Sequence, residues 1–177
     1  MKASVFVGVS VDGFMARADG SFDFLPEGGG EAHGYDEFMA SVDALVIGRK
    51  TYQTVLAFEQ WPYGDKPVFV LSSGALAAAP PGARVEHLCG EPAALVAQLD
   101  ARGIGHAYID GGNTIQRFLA AGLIERLIVT RVPVLIGQGI ALFGALAHDV
   151  QLQHVATHHY PSGLVQTEYR ILQGAAT

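Results

Sequence analysis

The sequence holds a single cysteine, Cys89. A disulfide framework is thereby excluded, and a reducing compartment is the natural reading. Positive charge is also scarce: 11 Lys and Arg stand against 17 Asp and Glu, for a formal net charge of -6. No basic block offsets this, so the overall field repels a phosphate backbone. Any bound anion must be held locally, by a few side chains and backbone N–H groups. Long apolar runs are missing as well. The apolar stretch after Lys2 ends at Asp12, too short to span a bilayer, and no A-x-A-like cleavage site follows it. Together these absences imply a cytoplasmic protein. Charged residues make up only 16% of the chain while 50% are hydrophobic, which excludes a disordered or nucleic-acid-coating chain and allows a large core.

What is present is an alternation of buried strands and helices, in a length that suits one domain over residues 1–177. Ala3 to Val9 is β-branched and apolar and stops at Asp12-Gly13, so it reads as a first buried strand. Ala18 to Gly30 reads as loop. Tyr35, Phe38, Met39 and Val42 have helical spacing, which predicts a helix from about Ala32 to Ser41. Ala44 to Ile47, Val68 to Leu71, Arg84 to His87, His106 to Asp110 and Leu127 to Thr130 read as strands. Helices are predicted over Thr51 to Ala57, from Pro92 to about Arg102, and around Ile115, Phe118, Leu119 and Leu123. Two strand-like runs, Gln151 to Tyr160 and Leu164 to Leu172, flank Pro161-Ser162-Gly163 and predict a closing hairpin. The expected fold class is α/β: a mixed, mostly parallel sheet between helical layers, with an antiparallel C-terminal pair.

Three strand ends carry residues suited to anions. In Ile109-Asp110-Gly111-Gly112-Asn113-Thr114-Ile115 a strand ends, two glycines turn the chain and a helix starts. The helix leaves free N–H groups and a positive dipole end at the turn, and glycines let a phosphate approach the backbone. Asn113 or Thr114 could cap that helix. In Val46-Ile47-Gly48-Arg49-Lys50-Thr51-Tyr52 two cations sit where the helix dipole disfavours them, and a bound anion would relieve the conflict. Leu71-Ser72-Ser73 brings two hydroxyls to a third strand end. Each segment has an ordinary structural reading as a tight turn, a solvated basic pair or a Ser-Ser-Gly turn. Combined, they suit a dinucleotide with a pyrophosphate and a 2′-phosphate, placed beyond the carboxyl ends of the strands. The Rossmann pattern G-x-G-x-x-G is absent.

These segments, in this order, resemble the successive NADPH-binding motifs of the dihydrofolate reductase superfamily. Ser10 to Ala16 and the run Pro133 to Phe143 are similar, more narrowly, to the reductase domain of the bifunctional riboflavin-biosynthesis deaminase/reductase and its stand-alone relatives. The resemblance implies a three-layer dihydrofolate-reductase-like fold and NADPH as cofactor. It places Gly48, Arg49, Lys50 and Thr51 at the 2′-phosphate and pyrophosphate, and Leu71, Ser72 and Ser73 on the adenosine side. Asp110, Gly111, Gly112, Asn113 and Thr114 fall at the pyrophosphate turn, with Val7, Gly8 and Ala16 near the nicotinamide. Asp12 is implied as a substrate contact or proton relay, and so the catalytic candidate. The implied activity is hydride transfer to a C=N or C=O carbon of a small molecule. Alternatives are the 5-amino-6-(5-phosphoribosylamino)uracil reductase of riboflavin synthesis and a non-catalytic NADPH-binding protein. Relatives of this kind imply a homodimer.

The sequence departs from the folate reductases on the first helix. Gly34 or Tyr35 falls where their substrate-orienting acid would be, while Glu31, Asp36 and Glu37 lack a clear claim to the role. A second, substrate-phosphate site would have to come from Arg17, Arg117, Arg126 or Arg131. His154 and His158 would share a strand face but stand about 13 Å apart, too far for one metal ion, and no metal is expected. Cys89 reads as a core or edge thiol, and Trp61-Pro62 as a pocket wall or a loop closure.

Overall fold

The computed structural model describes residues 1–26 and 32–172. Its strands are β1 (Lys2–Ser10), β2 (Phe14–Ala16), β3 (Ala44–Gly48), β4 (Val68–Leu71), β5 (Val85–Leu88), β6 (His106–Asp110), β7 (Arg126–Val132), β8 (Ile140–Ala141), β9 (Leu152–His159) and β10 (Val165–Ile171). Its helices are α1 (Tyr35–Ser41), α2 (Arg49–Leu56), α3 (Pro92–Ala101) and α4 (Gly112–Ala120). Eight strands form one sheet in the order β5-β4-β3-β6-β1-β7-β10-β9. From β5 to β7 every pairing is parallel; β10 then pairs antiparallel with both β7 and β9. This is the mixed, mostly parallel sheet with a closing hairpin that the sequence predicts.

The parallel strands read as unbroken apolar runs because both of their faces are covered. Side chains alternate between faces along a strand. Thus Val5, Val7, Ala44, Val46, Ala107 and Ile109 join one core with Leu95 and Leu99 of α3 and Ile115 and Phe118 of α4. The intervening Leu45, Ile47, Val68, Val70 and Tyr108 join a second core with Phe38 of α1 and Tyr52 and Val55 of α2. Two helices on each face make the three layers. Among the described residues no helix is long and apolar enough to cross a membrane.

Some boundaries differ from the sequence reading. α2 begins at Arg49, two residues before the predicted Thr51, because Gly48 in extended conformation already serves as its N-cap. α1 begins at Tyr35 and not near Ala32, since Gly34 (φ 76°) takes a left-handed conformation that interrupts the helix. A second, two-stranded sheet of β2 and β8 was not foreseen. These strands have three and two residues, too few for periodicity to register. The glycine run at 28–30 and Glu31 lie outside the described residues.

Candidate active site

The carboxyl ends of β1, β3, β4 and β6 open into one cleft of about 1300 Å³. Its lining takes in all of Val7, Gly8, Ala16, Gly48, Arg49, Lys50, Thr51, Leu71, Ser72 and Ser73, and the run Asp110 to Thr114. Arg49, Ser72 and Gly111 therefore face one space.

Two of the strand ends are locked together. The segments Gly48-Arg49-Lys50-Thr51 and Gly111-Gly112-Asn113-Thr114 both run glycine, two residues, threonine. Each threonine hydroxyl fills the space a Cβ would take on the other segment's glycine. An ideal Cβ on Gly48 would lie 2.9 Å from Thr114 Oγ1, and one on Gly111 would lie 2.5 Å from Thr51 Oγ1. Both residues are forced to be glycine by contact, and Gly111 also by its φ of 94°. The two helix starts are thereby held side by side.

Neither helix start has a side-chain cap. The expectation that Asn113 or Thr114 caps α4 is corrected here: the N-cap is Gly111, which has no side chain to offer, and both expected residues lie inside the helix. Two sets of orphan N–H groups thus face the cleft beside Arg49 and Lys50. Arg49 reaches the third strand end as well, its Nη1 lying 3.7 Å from where a Cβ on Gly74 would be. There the Ser72 hydroxyl donates to Gly74 O (2.8 Å) and accepts from Gly74 N (3.1 Å), closing the turn. Ser73 lies beside it on the lining. This end of the cleft is polar and cationic.

The other end is aromatic. Phe6, Phe22, Leu25, Phe58, Tyr63 and Tyr108 line it. Leu25 rests on β1, its Cδ2 lying 2.9 Å from the position of a Cβ on Gly8. Phe22 meets Phe58 edge-on at 6.3 Å, so the loop after β2 and the end of α2 approach each other there. Tyr108 donates its hydroxyl to Phe6 O (2.8 Å). Asp110 alternates with Tyr108 along β6 and so points to this face. Its Oδ1 accepts Gly111 N–H (2.7 Å). Desolvation pushes its carboxyl up to about 6, against the pull of that hydrogen bond. In turn, its charge adds to burial in raising the phenols of Tyr63, Tyr108 and Tyr35, the last to about 12.

Asp12 stands apart from the other expected residues. It does not line the cleft; its carboxylate accepts N–H groups from Gly137 (2.8 Å) and Ile136 (3.3 Å). The Ser10 hydroxyl and these backbone donors hold it below the usual carboxylate range. Asp12 therefore braces the loop that leads to β8, which sits against the α4 turn through Ile140 and Gly112. The structure thus gives Asp12, expected as a substrate contact or proton relay, a bracing place beside the cleft lining.

Other expectations resolve in the same way. Tyr35 packs edge-on against Phe6 at 5.5 Å, so no acid of α1 takes its place there. Trp61 meets Tyr63 (5.2 Å) and Tyr52 (6.3 Å) edge-to-face and closes its loop without lining the cleft. Cys89 is exposed and lines the polar end, where a core thiol was one of the expectations. Phe22, Leu25, Phe58 and Tyr63 were missed. All four lie outside regular elements, and no motif marks them.

Residues 2–166 match the family model described as the RibD C-terminal domain. The chain is 33% identical over 174 residues to the uncharacterized protein YwjB of Bacillus subtilis (strain 168), covering 95% of this chain and 97% of that one. It is similar to the crystal structure of a candidate riboflavin biosynthesis protein from Shewanella sp. PV-4, with 37% identity and a TM-score of 0.88 over 98% of this chain and 100% of that one. Dihydrofolate reductase from Enterococcus faecalis, solved in complex with NADP(H) and RAB-propyl, shares the fold at 16% identity and a TM-score of 0.67, covering 97% of each chain. The chain belongs to the RibD C-terminal domain family and has the dihydrofolate-reductase-like fold.

Proposed function

We propose that the protein is an NADPH-dependent reductase that passes hydride to a C=N or C=O carbon of a small molecule. One observation carries this reading: two uncapped helix starts, locked together through Gly48, Thr114, Gly111 and Thr51, share a cleft with Arg49 and Lys50. The residues present fit the cofactor. The orphan N–H groups of the two helix starts supply donors for a pyrophosphate, and Arg49 offers the planar fork suited to a 2′-phosphate.

NADPH, when bound, supplies the hydride from its nicotinamide ring. The chain's own part is to hold and orient. Val7, Gly8 and Ala16 form the wall of β1 and β2 along which a flat ring would lie, while Phe22, Leu25 and Phe58 exclude water from the reacting end. Asp110, with its carboxyl near 6, holds a proton over part of the physiological range at the junction of the two ends. The reading needs no protein nucleophile.

Membership of the RibD family favours a second reading, reduction of 5-amino-6-(5-phosphoribosylamino)uracil. That substrate carries a phosphate of its own and needs a second anion site.

Thermal unfolding with NADPH and NADH tests the main reading. A cofactor at about 100 times its Kd adds about 2.7 kcal/mol of stability. The expected result is a rise in Tm with NADPH that exceeds the rise with NADH at equal concentration. No rise with either cofactor overturns the reading.

A further inference from the structure

The aromatic end of the cleft holds no cation. All 11 Lys and Arg of the sequence fall within the described residues, so each can be placed. Only Arg49, Lys50 and Arg117 line the cleft. Arg49 and Lys50 belong to the polar end, and Arg117 is drawn to Gly90 O (3.1 Å) and Glu91 (3.6 Å) near it. The other arginines that could have served a substrate phosphate are placed elsewhere. Arg17 is paired with both carboxylate oxygens of Asp23. Arg126 is paired with both oxygens of Glu168, at the start of β7 and far from the cleft. Arg131 alternates with Leu127 and Val129 and so lies on the opposite face of the sheet.

Of the carboxylates on the cleft lining, Glu91 pairs with Arg117 and Asp19 takes the Ser21 N–H and hydroxyl, which leaves Asp110 among the flat apolar walls. Asp110 Oδ1 takes the Gly111 N–H, and Oδ2 has no protein donor among the described residues. A carboxylate accepts through both oxygens, so half of this one is open to a ligand. The Tyr108 hydroxyl, two residues back on β6, donates to Phe6 O. A phosphate here would meet like charge at Asp110 with no cation to offset it. A ring with N–H groups would meet an acceptor, with Phe22 and Phe58 available for stacking and edge contacts.

We propose that the substrate end takes a planar, unphosphorylated ring with adjacent N–H donors, and that Asp110 is the residue that anchors it. This rests on the reductase reading, which assigns the polar end to the cofactor. It separates this chain from a reductase of phosphoribosyl substrates, because the only free cations of the cleft are committed to the cofactor.

Isothermal titration of the protein saturated with NADP⁺ tests the proposal with three probes. These are 2-aminobenzimidazole, benzimidazole without the amino group, and ribose 5-phosphate. The expected result is binding of 2-aminobenzimidazole at about 1 mM or tighter. Benzimidazole should bind more weakly, and ribose 5-phosphate should show no heat. Asp110→Asn should weaken 2-aminobenzimidazole by about tenfold or more, through loss of a charge-assisted pair. Its amide oxygen can still accept from Gly111, which preserves the turn. Phe58→Ala, at an exposed position, should weaken both benzimidazoles by a similar factor to each other. Binding of ribose 5-phosphate as tight as that of 2-aminobenzimidazole overturns the proposal. So does an Asp110→Asn variant that binds all three probes as the parent does. Failure of NADP⁺ itself to bind strikes the reductase reading instead, so the two failures are told apart before any probe is added.

Discussion

Gly111 and Thr51 compete for one volume: a Cβ on the glycine would come within 2.5 Å of the threonine hydroxyl. The mirror contact, Gly48 against Thr114, is looser at 2.9 Å, and Gly48 has an ordinary φ of -80°. The two positions should therefore respond differently to rescue. Gly48→Ala alone should cost about 1–3 kcal/mol by overpacking, and Thr114→Ala should recover most of it by removing the clashing hydroxyl. Gly111→Ala should cost more, about 2–4 kcal/mol, and Thr51→Ala should recover only part. The left-handed strain at φ 94° remains when the clash is gone. Urea unfolding of the two double-mutant cycles measures this; equal recovery in both would contradict the contact geometry.

Arg49 tests the identity of the anion at the polar end. If its guanidinium meets a 2′-phosphate, Arg49→Ala should weaken NADPH by roughly ten- to a hundredfold, the worth of a charge-assisted pair. NADH, which lacks that group, should lose far less, and the NADPH loss should shrink as salt is raised. Direct titration of both cofactors against parent and variant decides the matter. Equal losses would place Arg49 at the pyrophosphate.

Asp110 carries a pH signature of its own. Its folded carboxyl titrates near 6, above its ordinary 3.8. Between these values the folded chain holds more proton than the unfolded one, so stability falls as pH rises through the window and stays lower above it. Asp110→Asn removes the penalty. The variant should gain stability over the parent at about pH 7.5 by up to about 2 kcal/mol, and gain little at about pH 4. Thermal unfolding across that range checks the sign; a variant that loses stability more at neutral pH than in acid would refute the half-buried, proton-retaining carboxyl.

Glu168 shows the opposite sign. The Arg126 guanidinium holds its carboxyl below the usual range, with bonds of 2.7 and 2.9 Å. That pair stabilises above the ordinary glutamate value and its contribution is lost as pH falls through the lowered one. Both side chains are about a quarter exposed, so Glu168→Gln should cost only about 1 kcal/mol at neutral pH. The cost should vanish in strong acid, as read by acid-induced unfolding.

The hairpin edge bears on assembly. β9 is the last strand of the sheet, and Leu152 and Val155 on it are exposed, as is Val165 on β10. We expect a homodimer that buries this apolar edge region. Val155→Glu should shift the protein to monomer in light scattering after size-exclusion chromatography. A parent already monomeric at tens of micromolar would refute the expectation.

The sheet was legible because its central strands are buried on both faces, which leaves runs such as Ala44 to Ile47 uninterrupted by polar residues. The polar end of the cleft was legible for a related reason. Glycines, cations and hydroxyls sit within a few residues of each strand end, so local sequence already assembles them. The interlock of Gly48 with Thr114 was not legible, since it joins segments more than sixty residues apart. Nor was the aromatic end, whose Phe22, Leu25, Phe58 and Tyr63 come from loops that only the packed sheet brings together. Asp12 drew notice through its place in a chain segment that resembles a substrate-bordering loop. Its hydrogen bonds run to Ile136 and Gly137, across more than a hundred residues.

The sheet pairings have a practical corollary. β1 enters at Lys2 and runs toward the cleft, in step with β7, while β10 runs back against β7 so that Arg170 lies level with Arg126 and Ser4. Both ends of the folded unit therefore leave from the edge farthest from the binding mouth. An affinity tag or a second protein joined directly ahead of Lys2 or directly after Leu172 therefore starts from the base, away from the opening.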